Sequence, residues 1–329
     1  MADLRYDPVT DIWVAMANKR RERPMEFVPV EQVHPQIICP FCAGNEEETP
    51  DPIFAYRSDG NLLGPGDDPS SWAVRIMPNK FPSLSQAEGG SPSGPYRSAA
   101  GDGVQELVIP TPKHVSSLGD LSNQELAFCL GSCQNRIEEL RNLKTIEHVM
   151  LFLNCGSAAG ASMEHIHFQI MGSPVLSTFL QRRFERNAKH FEQTGHSLIG
   201  SVLDWELEQS KRVLQQTENF VMFCPYASRF AFQVWIVPRN REMQFTRLEK
   251  SWNNELAELC RGYVGKLEGL MDNPAYNLLL NLSPNRYRDG EHWFIEIFPR
   301  LNRMAGFELG TDVWVNPVPP ELAARRLSS

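Results

Sequence analysis

The 329-residue chain has no run of apolar residues near the about 18 that a membrane-spanning helix needs, so no membrane partner is expected. Its opening, MADLRYDPVTDIW, lacks the basic-then-apolar pattern of a secretory leader, and the expected location is the cytoplasm. Positive charge is not in surplus: 32 Lys and Arg stand against 40 Asp and Glu, a net of −8. A nucleic-acid binder working by bulk charge is thereby excluded, while a small phosphorylated ligand held by a few placed arginines is not. A disulfide framework is not expected either, because seven cysteines is an odd count in a long chain with no visible leader pattern. What remains is ordinary globular composition, 42% hydrophobic and 22% charged, at a length that suits two domains or one domain and its repeat.

Periodicity places the elements. Residues 72–77 and 105–109 alternate as strands, and 25–70 are Pro, Gly and Asp-rich and read mostly as loop. Residues 84–102 are a Ser/Gly/Pro stretch, expected to be a mobile loop. Ser122 with Glu125 forms a capping-box signature, and the helix behind it repeats Leu126, Leu130, Cys133, Ile137 and Leu140 on one face. Strands are expected over 149–153 and 164–171, with helix over 176–217. The plan then recurs: strands over 221–223 and 232–237, a helix over 252–271, strands over 277–282 and 292–298. Adding 127 carries Ile109 to Ile236, Asn154 to Asn281, His165 to His292 and Gln169 to Glu296. A degenerate duplication follows, divided as 1–175 and 176–329 with the helical stretch as linker.

Three features carry chemistry. Cys39-Pro40-Phe41-Cys42 sets two thiols on a tight turn, the first half of a tetrahedral metal site; a redox role would need a strand-to-helix setting that its Pro/Gly/Asn flanks do not supply. No second CxxC exists to complete it. His165, His167 and Gln169 share one face of the expected strand, against an apolar face of Ile166, Phe168 and Ile170; a solvated edge is the alternative. Just ahead, Gly156, Gly160 and Ser162 form a small-residue loop whose backbone N–H groups can approach an anion closely. The other histidines are bland: His190 and His196 read as solvated, His148 as a satisfied, partly buried side chain, and His34 as a weak ligand candidate.

The run Asn154-x5-Gly160-x-Ser162-x2-His165-x-His167-x-Gln169, with the CxxC upstream, resembles the histidine-triad superfamily. More closely it resembles the galactose-1-phosphate uridylyltransferase branch, with the related ADP-glucose and dinucleoside-polyphosphate phosphorylases. Trp13 to Pro24, Pro78-Asn79-Lys80-Phe81-Pro82, Pro112-Lys113-His114 and 306–311 extend the resemblance over nearly the whole chain. It implies an α+β fold of two tandem histidine-triad-like repeats, antiparallel sheets with helices packed on one side. It also implies one structural zinc site per chain, on Cys39, Cys42, His114 and His165. His167 would be the nucleophile that forms a nucleotidyl-histidine, with Gln169 steadying the nucleotidyl phosphate. Ser162 and the backbone around Gly160 would hold the leaving phosphate. Arg20 and Arg23 match phosphate-facing arginines, with a solvated basic loop as the alternative. Asn79 and Phe81 match nucleoside-holding positions, Asn154 lies near the ribose or phosphate, and Phe307 and Glu308 near the sugar hydroxyls. A homodimer is implied, because the family's sites are built across an interface.

The implied activity is ping-pong nucleotidyl transfer between a nucleotide sugar and a sugar 1-phosphate, of the UDP-glucose:hexose-1-phosphate uridylyltransferase type. An ADP-glucose phosphorylase, with phosphate as acceptor, is the alternative, and a non-catalytic zinc-stabilised nucleotide binder the second. Two departures bear on the choice. Ile166 stands where uridylyltransferases usually have Pro, which points toward the phosphorylases, and Lys80 follows Asn79 where several have Asp. In the second half the strand reads His292-Trp293-Phe294, and adding 127 to His114 lands on Arg241, so no second metal is expected there.

Overall fold

The computed structural model describes residues 3–16, 38–84, 95, 101–287, 292–301 and 304–329. Arg20, Arg23, His34 and most of 84–102 lie outside the described residues. In chain order the elements are β1 (Asp3–Asp7), β2 (Ile12–Met16), β3 (Phe54–Tyr56), β4 (Val74–Pro78), β5 (Val104–Ile109), α1 (Asn123–Arg141), β6 (His148–Cys155) and β7 (Phe168–Ser173). Then follow α2 (Thr178–Thr194), α3 (Leu198–Gln209), β8 (Val213–Gln216), β9 (Phe220–Phe223), β10 (Val234–Pro238), α4 (Lys250–Leu270), β11 (Tyr276–Asn281) and β12 (Phe294–Pro299). The chain closes with α5 (Gly306–Thr311), β13 (Trp314–Asn316) and α6 (Pro320–Ser328). Among them β1, β2 and β13 form a three-stranded sheet, with β13 parallel to β2.

The fold is the expected α+β, and its two antiparallel halves are joined edge to edge in one ten-stranded sheet, ordered β3-β4-β5-β7-β6-β11-β12-β10-β9-β8. Read inward from either edge the connectivity is the same: strands three, four, five, seven, six from one side, and eight, nine, ten, twelve, eleven from the other. The seam is β6 on β11, with Asn154 opposite Asn277 and Leu151 opposite Leu280. Pairing there removes two strand edges that would otherwise offer unbonded N–H and C=O groups.

Helix α1 starts where its capping box predicts: Ser122 N–H donates to Glu125 Oε2 at 2.8 Å and Glu125 N–H donates to Ser122 Oγ at 3.1 Å. It packs with α4 over one face of the whole sheet, where Leu151, Leu153, Phe168, Ile170, Met222, Ile236 and Ile295 form a single core across both halves. The 175/176 division falls in the connection between β7 and α2. The opposite face differs between the halves. In the second, Val221, Phe223, Trp235, Val237 and Phe294 are covered by Ile199 and Leu203 of α3. In the first, Met77 and Ile109 are covered by Phe41 and Trp72, so the CxxC loop takes the place of a helix.

Two sequence expectations need correction. Strand β7 begins at Phe168, not 164: Val108–Phe168 is the last ladder pair, and Pro110 and Pro112 then carry no N–H to continue it. His165 to His167 therefore precede the strand, tied by an Ile166 N–H bond to Val115 O at 2.8 Å. The stretch 176–217 is two helices broken at Gly195 (φ 73°), followed by β8, whose pairing with β9 makes a strand of residues read as helix.

Candidate active site and metal centre

The CxxC turn is closed by Cys42 N–H to Cys39 O at 3.4 Å and by Asn45 Nδ2–H to Cys39 O at 2.9 Å. Ala43 N–H donates to Pro112 O at 3.1 Å, which docks the turn on the segment carrying His114. Ligand atoms of Cys39, Cys42, His114 and His165 all lie within 4.8 Å of one another, a group able to hold a metal ion. Cys39 Sγ is 3.5 Å from His165 Nδ1, Cys42 Sγ 3.6 Å from the same atom, and Cys42 Sγ 3.4 Å from His114 Nδ1. His165 Nε2–H donates to Thr111 O at 3.1 Å, which leaves the Nδ1 lone pair for the cluster. Burial lowers its pKa to about 4, so the ring is neutral at physiological pH, as a ligand must be. Burial and the neighbouring Cys39 push the Cys42 thiol up to about 11, a proton that a bound cation would displace.

His167 is 5% exposed, under the Phe41 ring at 5.3 Å. Its Nδ1–H donates to His165 O at 2.9 Å, so Nε2 keeps the lone pair. Burial, outweighing that carbonyl, holds its pKa below the ordinary histidine value. The preceding loop turns on two glycines at positive φ, Gly156 (80°) and Gly160 (91°). At Gly156 a Cβ would also meet Ala275 Cβ at 2.9 Å. Asn154, half-buried beside Gly160, accepts at Oδ1 from Asn277 Nδ2 at 2.8 Å, and that amide also donates to Ala159 O at 2.9 Å. Ser162 is exposed at the mouth of the loop.

Gln169 sits on β7 opposite Leu107, and its Oε1 accepts from Gln105 Nε2 at 2.9 Å. Asn79 and Phe81 lie just past β4. Asn79 N–H donates to Gln105 O at 2.9 Å, its Oδ1 accepts from Phe81 N–H at 2.9 Å, and the Phe81 ring is 83% exposed. Phe307 on α5 is exposed, whereas Glu308 is buried and accepts from Ala305 N–H at 3.1 Å. Gln105, Asn277 and Thr111 escaped the sequence reading. Only strand register places Gln105 and Asn277 beside the motif residues, and Thr111 acts through its carbonyl.

The second half repeats the frame with other contents. His292 Nε2–H donates to Pro238 O at 2.9 Å, the His165–Thr111 bond displaced by 127 residues at both ends. Its Nδ1, however, meets Ser197 Oγ at 2.9 Å, the N-cap of α3, instead of thiols. Arg241, counterpart of His114, pairs with Asp204 and bonds His196 Nδ1 at 2.7 Å. Phe294, counterpart of His167, packs on Trp235 at 4.5 Å and beneath the Arg183 guanidinium at 4.8 Å. Arg183 Nη1–H also donates to Asn281 Oδ1, counterpart of Asn154, at 2.8 Å. His148 is buried with Nδ1 unpartnered among the described residues, contrary to the satisfied side chain expected, and His190 is half-buried against Ser201 Oγ at 2.9 Å rather than solvated.

Residues 69–177 match the family described as galactose-1-phosphate uridyl transferase, N-terminal domain. An ADP-glucose phosphorylase of Arabidopsis thaliana is 30% identical over 98% of this chain and 91% of its own length. A galactose-1-phosphate uridylyltransferase of Thermotoga maritima is 27% identical over 99% of this chain and 98% of its own. The crystal structure of an Arabidopsis thaliana ADP-glucose phosphorylase with bound ADP-glucose superimposes with a TM-score of 0.83 at 29% identity, covering 100% of this chain and 99% of that one. No described helix is long and apolar enough to cross a membrane.

Proposed function

Because the chain belongs to the galactose-1-phosphate uridylyltransferase family and is a nucleotidyltransferase, we propose that it moves a nucleotidyl group through a covalent bond to His167. The observation that carries this is the buried Nδ1–H to His165 O bond, which leaves Nε2 as the nucleophilic lone pair. Nε2 attacks the α-phosphorus of a nucleotide sugar, an N–P bond forms, the bridging P–O bond breaks, and sugar 1-phosphate leaves. An acceptor phosphate oxygen then attacks the same phosphorus and the N–P bond breaks, so two inversions give net retention. Gln169 donates to the nucleotidyl phosphate, while Ser162 and the N–H groups around Gly160 receive the leaving phosphate. Asn154, Asn79 and Phe81 hold the nucleoside side, and Arg20 and Arg23 are assigned to phosphate by the family resemblance alone, since they lie outside the described residues. Phe307 and Glu308 face the sugar of a partner subunit in a homodimer. Exposed Leu301, Met304, Phe307 and Leu309 around α5 support that dimer.

The metal is zinc. With zinc–sulfur and zinc–nitrogen bonds of about 2.3 and 2.0–2.1 Å at tetrahedral angles, sulfur and nitrogen stand about 3.5 Å apart. The cluster's 3.4–3.6 Å separations fit. Zinc here would fix the segment that presents His167, a structural service.

The donor and acceptor are ADP-glucose and phosphate, ahead of the uridylyltransferase reading. Ile166 between the two histidines and the Arabidopsis relative support this choice. The uridylyl reading keeps support from the family model and the Thermotoga relative. Intact-protein mass at mildly alkaline pH, after separate incubation with ADP-glucose and UDP-glucose, decides. The expected result is an AMP adduct discharged by orthophosphate as ADP. A UMP adduct discharged by galactose 1-phosphate would select the second reading. No adduct with any donor, with zinc confirmed, would overturn the mechanism.

A further inference from the structure

The geometry points to Gln105 as the positioning residue that sets which end of the Gln169 amide faces the transferred phosphoryl group; this rests on the nucleotidyl-histidine reading. Ser83 N–H can only donate, and it meets the Gln105 amide at 2.7 Å, so that end is the oxygen. The other end of Gln105 is then the NH2 group. It lies 2.9 Å from the Gln169 amide, whose contacting atom must therefore be its oxygen. Gln169 is left with its Nε2 donor, which makes no other hydrogen bond among the described residues and is the end a phosphoryl oxygen requires. An amide has two nearly isosteric orientations, and a strand alone does not choose between them. Gln105 makes the choice by relaying the polarity of a main-chain N–H.

The second half builds the same relay. Phe230 N–H donates to Gln233 Oε1 at 3.1 Å, and Gln233 Nε2 donates to Glu296 Oε1. Register is conserved as well: Leu107 stands opposite Gln169 and Trp235 opposite Glu296, so each relay glutamine is the diagonal neighbour of its target. There the terminal group is a carboxylate, an acceptor at both ends, and it is held by Arg229 at 2.6 Å. A relay that ends in an acceptor cannot steady a phosphoryl oxygen; one that ends in an amide can. The relay also joins the loop that carries Asn79 and Phe81 to Gln169, since Asn79 N–H bonds the Gln105 carbonyl.

Single-turnover release of sugar 1-phosphate from ADP-glucose, or from UDP-glucose if that donor forms the adduct, reads the effect. In Gln105→Glu the carboxylate still accepts from Ser83 but now demands a donor from Gln169. The amide turns over, presents oxygen to the phosphoryl group, and the rate falls about 10²-fold, the scale of losing one preorganised donor. Gln105→Leu merely frees the amide and loses less. In a Gln169→Ala background neither change has a further effect, because there is no amide left to orient. Lowering the pH restores Gln105→Glu relative to wild type as the carboxyl takes a proton and can donate. Equal losses in the two variants, losses that persist in Gln169→Ala, or no acid recovery would overturn the relay while His167 remains the nucleophile. Should the carboxylate variant not fold, Gln105→Leu carries the test through the same background. A wild-type enzyme that releases no sugar phosphate would remove the premise, and the relay with it.

Discussion

The two halves of the sheet share strand order, the α1/α4 core and a histidine bonded to the carbonyl 54 residues upstream, His165 to Thr111 and His292 to Pro238. They differ in what covers the other face. The first half lays a CxxC loop there, with the Phe41 ring over His167; the second lays α2 and α3 there. Its Phe294 sits beneath Arg183, where the first half keeps the His167 ring. Chemistry thus depends less on the scaffold than on whether a loop or a helix closes it. The small volume of about 20 Å³ left beside Arg183 and His292 holds no substrate.

The sharpest way to break this comparison is at the two matched ring positions. His167→Gly should abolish adduct formation, a loss of about 10⁴-fold or more for a nucleophile. Phe294→Ala should leave adduct formation in place while costing about 3–5 kcal/mol of stability in urea unfolding. Retained adduct in the first, or lost adduct in a folded second, would reverse the roles given to the halves.

A smaller effect separates the two histidine environments. Cys39→Ala should empty the metal site, read by elemental analysis, and lower Tm by roughly 10 °C, the scale of a few kcal/mol in a chain of this size. Ser197→Ala removes the α3 cap and the partner of His292, and should cost about 1–2 kcal/mol with metal content unchanged. Unaltered metal in the cysteine variant would refute the centre.

The mildest probe is pH. Burial lowers both His148 and His292 to about 4 from the ordinary 6.5, so between those values the unfolded chain binds more protons than the folded one. Stability should therefore be flat above pH 7 and fall from pH 6.5 toward pH 4, by up to roughly 3 kcal/mol for each ring. His148→Asn should shed one ring's share of the slope in urea midpoints, the remainder staying with His292 and the other buried histidines. A slope unchanged in that variant would show that the ring titrates normally.

Much of this was readable in residue order. The 127-residue offset carries α1 onto α4, starting at Asn123 and Lys250, and β6 onto β11. The Ser122/Glu125 box marked its helix because capping is local. The four ligand candidates, named through family resemblance, come together as a cluster able to hold a metal ion. Less legible were β8, a short edge strand whose partly buried Val213 and Leu214 suit a helix equally, and the start of β7, which depends on prolines just past the end of the neighbouring strand β5. Gln105 and Asn277 had no motif of their own.

The sequence alone determines the order of the motifs, the faces that are buried and the replacement of a histidine by Phe294 in the second half, because spacing and side-chain chemistry travel with the chain. Tertiary structure decides that the halves merge into one sheet, that Arg183 fills the second site, and that Gln105 sets the polarity at Gln169. Those facts rest on register and on the direction of hydrogen bonds between residues far apart in the chain, 98 positions for Arg183 and Asn281 and 123 for Asn154 and Asn277, where the chain folds back to put a donor against an acceptor.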